Sequence, residues 1–370
     1  MPFKGYFIDD SDEARIYATL LSVQGENGID VEFREVSDAV LLSGELFGLS
    51  PDLVALDFAL DDNPNVIEPK HAYKGSGLAQ LLRDKATVDP AGDFPVVLIS
   101  AEEKFEKYYR PDSTAHDLFD RTYGKVYTSE NYKQVRIELL DLCEGYKILK
   151  SVWGEGSDRL SIFGLPEDER SIIDVQELRS AITNAAAPHI AARTILKDVI
   201  DRSGILFSDG EVAARLGLSE IGPLAQILTE SGLAYAGIFS KGQRRWWAHR
   251  FDTWAENLFG QRPANVLGDD RARIIEEKFG LGIAGAVSTW DCSPRERFAF
   301  SCASCGRPGE VRHSVSVFES SAPRFVHRRR ICWDCVQTER YLDLRLTVDD
   351  VDANIVKEVR TKARERYIAS

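Results

Sequence analysis

Five short apolar runs separated by amphipathic stretches predict, for residues 1–150, an α/β domain with a five-stranded parallel sheet doubly wound by helices on both faces. Beyond it, capped helical patterns predict a mostly α domain over 151–290. Two Cys-x-x-Cys pairs predict a small metal-clamped β domain with a C-terminal helix over 291–370. A chain of 370 residues, 44% hydrophobic, has room for two or three domains of roughly 100 to 200 residues each, which excludes a disordered chain or a disulfide-stapled miniprotein. No run approaches the roughly 18 apolar residues of a membrane helix, and Met1 to Asp10 places two acids where a signal peptide would be apolar. A cytoplasmic protein without membrane contact is expected. The net charge of −13 is uneven: residues 1–150 hold 16 Lys and Arg against 28 Asp and Glu, leaving 30 against 31 for residues 151–370. The first part should be repelled by nucleic acid, and the second is near neutral with local basic clusters.

In the first part, Tyr6 to Ile8, Val31 to Phe33, Leu53 to Leu56, Pro95 to Ile99 and Tyr123 to Val126 read as strands. Asp12 to Val23, Asp38 to Phe47, Leu78 to Lys85, a region around Glu102 to Phe119, and Glu130 to Leu149 read as helices. Ligands of such sheets bind beyond the carboxyl ends of the strands. There the chain places Asp9 and Asp10 after strand one, Asp57 after strand three, Ser100 after strand four and Lys125 within or just after strand five. Crowded carboxylates repel unless a hard cation sits among them, and Mg²⁺ takes such carboxylates together with water and phosphate oxygens. With Mg²⁺ present, one carboxylate could attack a phosphoryl donor while Lys125 and the Ser100 hydroxyl hold the transferred oxygens.

These residues, in the segments Phe7-Ile8-Asp9-Asp10, Leu53 to Asp57, Ile99-Ser100-Ala101 and Lys125, resemble the receiver domain of bacterial response regulators over about residues 3–148. The resemblance implies a flavodoxin-like fold, Asp57 as phospho-acceptor, Asp9 and Asp10 as Mg²⁺ carriers alongside Asp57, Ser100 as switch hydroxyl and Lys125 as phosphate partner. It also implies a histidine kinase or other phosphodonor. Three positions depart from the pattern. Val126 stands where a proline usually follows the lysine, Thr122 where the aromatic switch residue is expected, and the stretch Phe58 to Ser76, with Asp61, Asp62, Pro64 and Pro69, is long enough for a lid or partner loop.

Gly154, Gly156, Ser157, Gly164 and Pro166 read as a linker. Helices follow from Ser171, with Ile172, Ile173, Val175, Leu178 and Ile182 on one face, and from Ile190 to Ile200. Ser208 to Leu218 reads as a capped helix closed by glycine, and Ser219 caps a second running to Ser231-Gly232. With strands expected at Leu233 to Ser240 and Arg244 to Arg250, the element order resembles a winged helix. The second helix contains Glu220, Glu230 and Gln226 but no Lys or Arg, so major-groove reading through it is disfavoured. Lys241, Arg244, Arg245 and Arg250, interleaved with Trp246, Trp247 and His249, could bind a nucleic-acid backbone, or could be solvated cations beside buried tryptophans.

Cys302-x-x-Cys305 and Cys332-x-x-Cys335 lie 26 residues apart, and four thiolates satisfy tetrahedral Zn²⁺. With strands at Val311 to Phe318 and Phe325 to Arg330 between them, the segment resembles a zinc ribbon. A filled shell makes the zinc structural; His313, His327 and Cys292 are alternative ligands. Arg328, Arg329 and Arg330, with Arg324, form a basic cluster beside the second pair, a further candidate surface for nucleic acid or an acidic protein. No Walker loop, Ser-His-Asp order, His-Glu-x-x-His helix or dinucleotide glycine pattern marks an enzyme, so receiver self-phosphorylation is the only chemistry expected. Three readings stand open. The first is a two-component-type signalling protein whose phosphorylated receiver acts on an unidentified output protein. The second is a nucleic-acid-binding, transcriptional regulator with weak contacts. The third is a phosphorylation-independent pseudo-receiver scaffold in a bacterial defence or stress system.

Overall fold

The computed structural model describes residues 1–63, 71–112, 114–154 and 156–368. The chain forms two compact units, Met1–Lys197 with Ala236–Gln243, and Asp198–Tyr235 with Arg244–Ser370. Among the described residues no helix is long and apolar enough to cross a membrane.

In the first unit, strands β1 (Phe3–Asp9), β2 (Ile29–Glu35), β3 (Leu53–Leu56), β4 (Val96–Ser100) and β5 (Arg121–Gly124) form one parallel sheet in the order β2-β1-β3-β4-β5. This is the doubly wound, flavodoxin-like fold that the apolar runs predict. Every residue of β3 and β4 is buried, as expected of central strands covered on both faces. Edge strand β2 buries Ile29 and Val31 but exposes Asp30 and Glu32, charges that discourage pairing with another chain. Between the strands run α1 (Arg15–Leu21), α2 (Ala39–Gly48), α3 (Gly75–Val88), α4 (Glu102–Lys104), α5 (Lys125–Glu130) and α6 (Tyr132–Ser151). The helix expected around Glu102 to Phe119 is broken: α4 passes into one π-turn at Phe105–Tyr109 and stops before Pro111, which has no N–H to continue the ladder. Lys125 is the first residue of α5, just beyond β5. Pro64 and Pro69 of the expected lid loop lie outside the described residues.

The stretch expected as a linker contains a short 3₁₀ turn, Arg159–Phe163, with Leu160, Ile162 and Phe163 buried. Helices α7 (Gln176–Thr183) and α8 (Pro188–Thr194) follow, α8 running on into a π-helical turn at Ile195–Ile200.

The second unit begins its helical part with α9 (Asp209–Leu216), which has Ser208 Oγ accepting from Glu211 N at 3.2 Å and Gly217 closing it at φ 70°. The expected partner helix shortens to α10 (Leu224–Glu230), because Pro223 sits at its N-cap. The expected wing is shortened: Ala234 bridges Trp246 antiparallel, with Tyr235 N donating to Arg245 O at 2.9 Å and Trp247 N to Leu233 O at 2.8 Å. On its other side β7 (Trp246–Trp247) pairs antiparallel with β6 (Leu206–Phe207), and Ala248 then opens α11 (Ala248–Phe259). Trp246 and Trp247 are both buried, so the run that imitates strand alternation is a two-residue core strand, and His249 and Arg250 are helical. Helix α12 (Gly268–Phe279) completes a core around Phe207, Leu216, Leu228, Trp246 and Phe251. The C-terminal region is small and β-rich: β8 (Phe298–Ser301) pairs with β9 (Pro308–Glu310), and β10 (Ser314–Ser316) with β11 (Arg330–Cys332). The strand expected at Val311 to Phe318 is thus trimmed to its middle, and the one expected at Phe325 to Arg330 is shorter and shifted to end at Cys332. Helices α13 (Trp333–Gln337), α14 (Arg340–Asp343) and α15 (Ala353–Ile368) follow.

Within the first unit, Asp141 of α6 accepts the N–H of Gly242 at 2.8 Å. Burial raises its carboxyl to about 6, against the lowering by that hydrogen bond. A carboxyl raised above its unfolded value stabilises the fold only while protonated, so its contribution is present below about pH 4 and is lost as pH rises through about 6. Asp141→Asn, which keeps the acceptor for Gly242, should therefore gain melting temperature relative to the parent chain between about pH 4 and 7. Parallel pH profiles in thermal melts would contradict this.

Candidate functional site

The sheet register assembles the strand-end cluster. Asp9 ends β1, and the Asp57 N–H donates to Ile8 O at 2.9 Å, which sets Asp57 beside it. Ser100 pairs with Gly124, so the next residue, Lys125, is delivered to the same edge. Lys125 Nζ lies 2.7 Å from Asp9 Oδ2 and 3.5 Å from Asp57 Oδ1. Asp9 Oδ1 accepts from Ser11 N at 2.9 Å, Asp10 Oδ2 from Asn63 N at 2.8 Å, and Asp57 Oδ2 from Ala59 N at 3.1 Å. Asp9, Asp10, Asp57 and Ser100 are all buried. At Gly75 any Cβ would collide with the Asp57 carbonyl, so glycine lets α3 start hard against the acceptor.

Two buried atoms there, Asp57 Oδ1 and Ser100 Oγ, have no hydrogen-bond partner among the described residues. Buried polar atoms seldom go unpaired, and these two face the chemistry the site would perform. Burial and the Asp57 charge raise the Asp9 carboxyl, with Lys125 acting against them. Burial would lower the Lys125 ammonium, but Asp57 and Asp9 outweigh it and hold the group above its usual value. The donor set, three convergent carboxylates, suits a hard cation such as Mg²⁺.

Sequence reasoning missed Lys104. Its Nζ is 3.8 Å from Asp57 Oδ2 and 2.6 Å from Asp62 Oδ2, so each oxygen of Asp57 faces an ammonium. Burial pulls the Lys104 ammonium down, and Asp62 and Asp57 carry it above its ordinary value. The available signal was its position four residues after Ser100, one helical turn up the element that leaves strand four. Of the departures, Tyr123 is buried and donates to Glu138 Oε2 at 2.8 Å, whereas Val126 is exposed.

In the second unit, Cys302, Cys305, Cys332 and Cys335 converge with their sulfurs within 4.8 Å of one another. Cys302 and Cys335 are 4.0 Å apart, Cys305 and Cys332 3.9 Å. A tetrahedron of Zn–S bonds near 2.3 Å has edges of about 3.8 Å, so the cluster fits that ion. Of the alternative ligands, His313 turns to Glu310, 2.9 Å from Nδ1, and His327 Nδ1 lies 3.4 Å from Arg215; Cys292 is exposed. None joins the four sulfurs.

The basic residues singled out in sequence are engaged within the protein. Lys241 pairs with Glu144, Arg244 Nε with Asp209 at 3.1 Å, Arg328 with Asp349 at 3.2 Å and Arg329 with Glu319 at 2.7 Å. Arg245 donates to Ile200 O, Arg250 to Gly232 O, and Arg330 to the Ser314 and Ser316 hydroxyls.

No family model and no curated protein matches the chain. Solved structures do resemble it. The receiver domain of the Francisella response regulator 1452 is 13% identical, with TM-score 0.27, over 38% of this chain and 97% of that one. The signal receiver domain of NarL from Mycobacterium tuberculosis is 18% identical, with TM-score 0.27, over 39% and 98%. NtrX from Brucella abortus is 18% identical, with TM-score 0.30, over 50% of this chain, which covers only 35% of that protein's length. The fold of the N-terminal domain rests on its own sheet order, β2-β1-β3-β4-β5 with all strands parallel.

Binding of one zinc per chain should supply much of the folding energy of the C-terminal β region, since apparent binding energies for such sites reach about 10 kcal/mol or more. Cys332→Ser should lose the metal in elemental analysis and make residues beyond about 290 sensitive to protease. A fully metal-free chain with unchanged protection would refute the assignment.

Proposed function

We propose that the chain is a two-component-type signalling protein in which Asp57 is phosphorylated with Mg²⁺ and governs a non-enzymatic output through protein contacts. The observation that carries this reading is the pair of unpartnered buried atoms, Asp57 Oδ1 and Ser100 Oγ, with Lys125 3.5 Å from the first. Asp57 Oδ1 is the nucleophile. It attacks the phosphorus of a histidine kinase or other phosphodonor; the bond to the donor nitrogen or oxygen breaks, and the leaving atom keeps the electron pair. Lys125 then balances the new acyl phosphate and the Ser100 hydroxyl donates to it, satisfying a group that otherwise has no partner. Asp9 and Asp10, with Asp57, would hold Mg²⁺, which supplies charge neutralisation for the transferring group.

The division of labour we infer along the chain is a receiver over 1–150, a helical adaptor over 151–290, and a zinc-stabilised β domain over 291–370. The nucleic-acid reading draws less support, because each cation that would carry it already serves a carboxylate, a hydroxyl or a carbonyl of the same chain.

Treatment with Mg²⁺ and beryllofluoride or a small phosphodonor should modify Asp57 alone, and Asp57→Asn should abolish it, as read by intact mass. Mg²⁺ should also raise the melting temperature, less so in Asp10→Asn. Lys104→Ala, which removes a cation competing for the same carboxylates, should tighten Mg²⁺ binding by up to about tenfold. A chain with neither adduct nor Mg²⁺-linked stabilisation would be a pseudo-receiver scaffold.

A further inference from the structure

The second unit contains a cavity of about 580 Å³ bounded by α9, α11, α12 and β8. Its charged walls are Arg215, Arg262 and Arg271 on one side of the balance, and Asp252 and Glu256 on the other, with His249 adding a titratable ring. Arg271 is the anomaly. Its side chain is fully buried, yet among the described residues no carboxylate pairs with it. It donates to two carbonyls, Arg215 O and Phe298 O, the second at 3.1 Å, and its Nε has no partner. Burial, and then the neighbouring Arg215 charge, lower this guanidinium to about 10, which leaves it ionised at neutral pH.

Carbonyl dipoles orient a buried guanidinium but do not neutralise it, and an uncompensated buried charge costs several kcal/mol. The acids on the wall do not relieve it. Glu256 is drawn to Arg262, 3.3 Å away, and burial raises the Asp252 carboxyl. Arg215 has Glu211 at 3.6 Å, but it also crowds Arg271 and His327, whose imidazole is lowered by burial and by Arg215. Arg271, the most buried charge on the wall, is thus the one left without an ion pair among the described residues.

We propose that this cavity binds a phosphate monoester, its oxygens taken by Arg215, Arg262 and the positive field of Arg271. Guanidinium forks match phosphate oxygens in pairs, and a dianion supplies the countercharge that Arg271 lacks among the described residues. The volume falls within the roughly 300 to 1,000 Å³ of small-molecule pockets, far more than a bare oxyanion fills, so an organic remainder occupies the rest. The site lies apart from the strand-end carboxylates in chemistry as well as in residues: it collects cations where the other collects anions.

Calorimetry on the zinc-loaded full chain, without added divalent cation, would test this with inorganic phosphate, glucose 6-phosphate and AMP as probes. At least one ester should bind saturably and about tenfold more tightly than inorganic phosphate. Arg215→Gln should weaken that binding about tenfold or more, and Arg262→Gln, at an exposed rim position whose loss leaves the fold intact, by a smaller factor. Asp57→Asn should leave it unchanged, which separates this cavity from the proposed phosphorylation site. No saturable ester binding would overturn the proposal. So would inorganic phosphate binding as tightly as both esters, or ester binding indifferent to Arg215→Gln and Arg262→Gln.

Discussion

The geometry of the strand-end cluster depends on a buried ion network at the opposite end of the central strands. Arg83 of α3 is 5% exposed, with Nη2 2.7 Å from Asp120 Oδ2 and Nη1 3.4 Å from Asp93 Oδ1. Burial alone would lower its guanidinium, and Asp120, Tyr146 and Asp93 together raise it instead. Asp120 Oδ2 also accepts Val96 N at 2.8 Å, while Asp120 N donates to Val96 O at 2.8 Å. This clasp locks the first rung of β4 against β5. The register Val97↔Arg121 through Ser100↔Gly124 then follows, and with it the arrival of Lys125 beside Asp57. A one-residue slip would turn every β5 side chain to the other face, and breaking one partner of such a buried pair costs about 3 to 5 kcal/mol. The same acids extend the network: Asp93 holds His189 of α8 at 2.9 Å, and Asp120 Oδ1 takes the Tyr146 hydroxyl at 2.7 Å.

At the functional end the balance is different. Asp9, Asp10, Asp57 and Asp62 face two ammoniums, Lys125 and Lys104, so two negative charges remain before any cation or phosphate enters. Lys104 also ties the acceptor to the segment after β3 through Asp62, and Lys74 holds Asp61 of that segment at 2.5 Å. Asp57 is thus coupled to Asp9 through Lys125 and to Asp62 through Lys104. By contrast Tyr123 spends its hydroxyl on Glu138, which makes the β5 aromatic a poor relay.

The sheet was legible because its central strands are continuous apolar runs ending in polar residues, a pattern that survives any packing. Asp9, Asp10, Asp57, Ser100 and Lys125 were legible for the same reason, since strand ends fix where their side chains go. The helix expected after β4 failed at Pro111, whose effect was visible but underweighted. Lys104 escaped because a helix of one turn has no periodicity to reveal its direction. The wing pairs only over Leu233 to Tyr235 and Arg245 to Trp247, because both tryptophans go inward, the flanking arginines bind Asp209 and Ile200 O, and Ala248 opens a helix. A basic cluster in sequence records only where cations are, and their partners lie tens of residues away.

One rule therefore accounts for both candidate sites, with opposite sign. Buried charge must meet counter-charge, and the structure satisfies this at Arg83 with Asp93 and Asp120, at Arg202 with Glu319 at 2.8 Å, and at the buried Glu296 with Arg312 at 2.6 Å. It is broken at the strand ends of the first unit, where carboxylates outnumber ammoniums, and at Arg271 in the second, where a guanidinium has only carbonyls. Natural folds retain such deficits where binding repays them, because a site already fully neutralised by its own residues gains little from a ligand. In the proposed reading the first site would take a cation and the second an anion. That complementarity of charge, set by residues far apart in sequence, is the physical ground on which the two sites are distinguished from the many ion pairs that merely hold the fold.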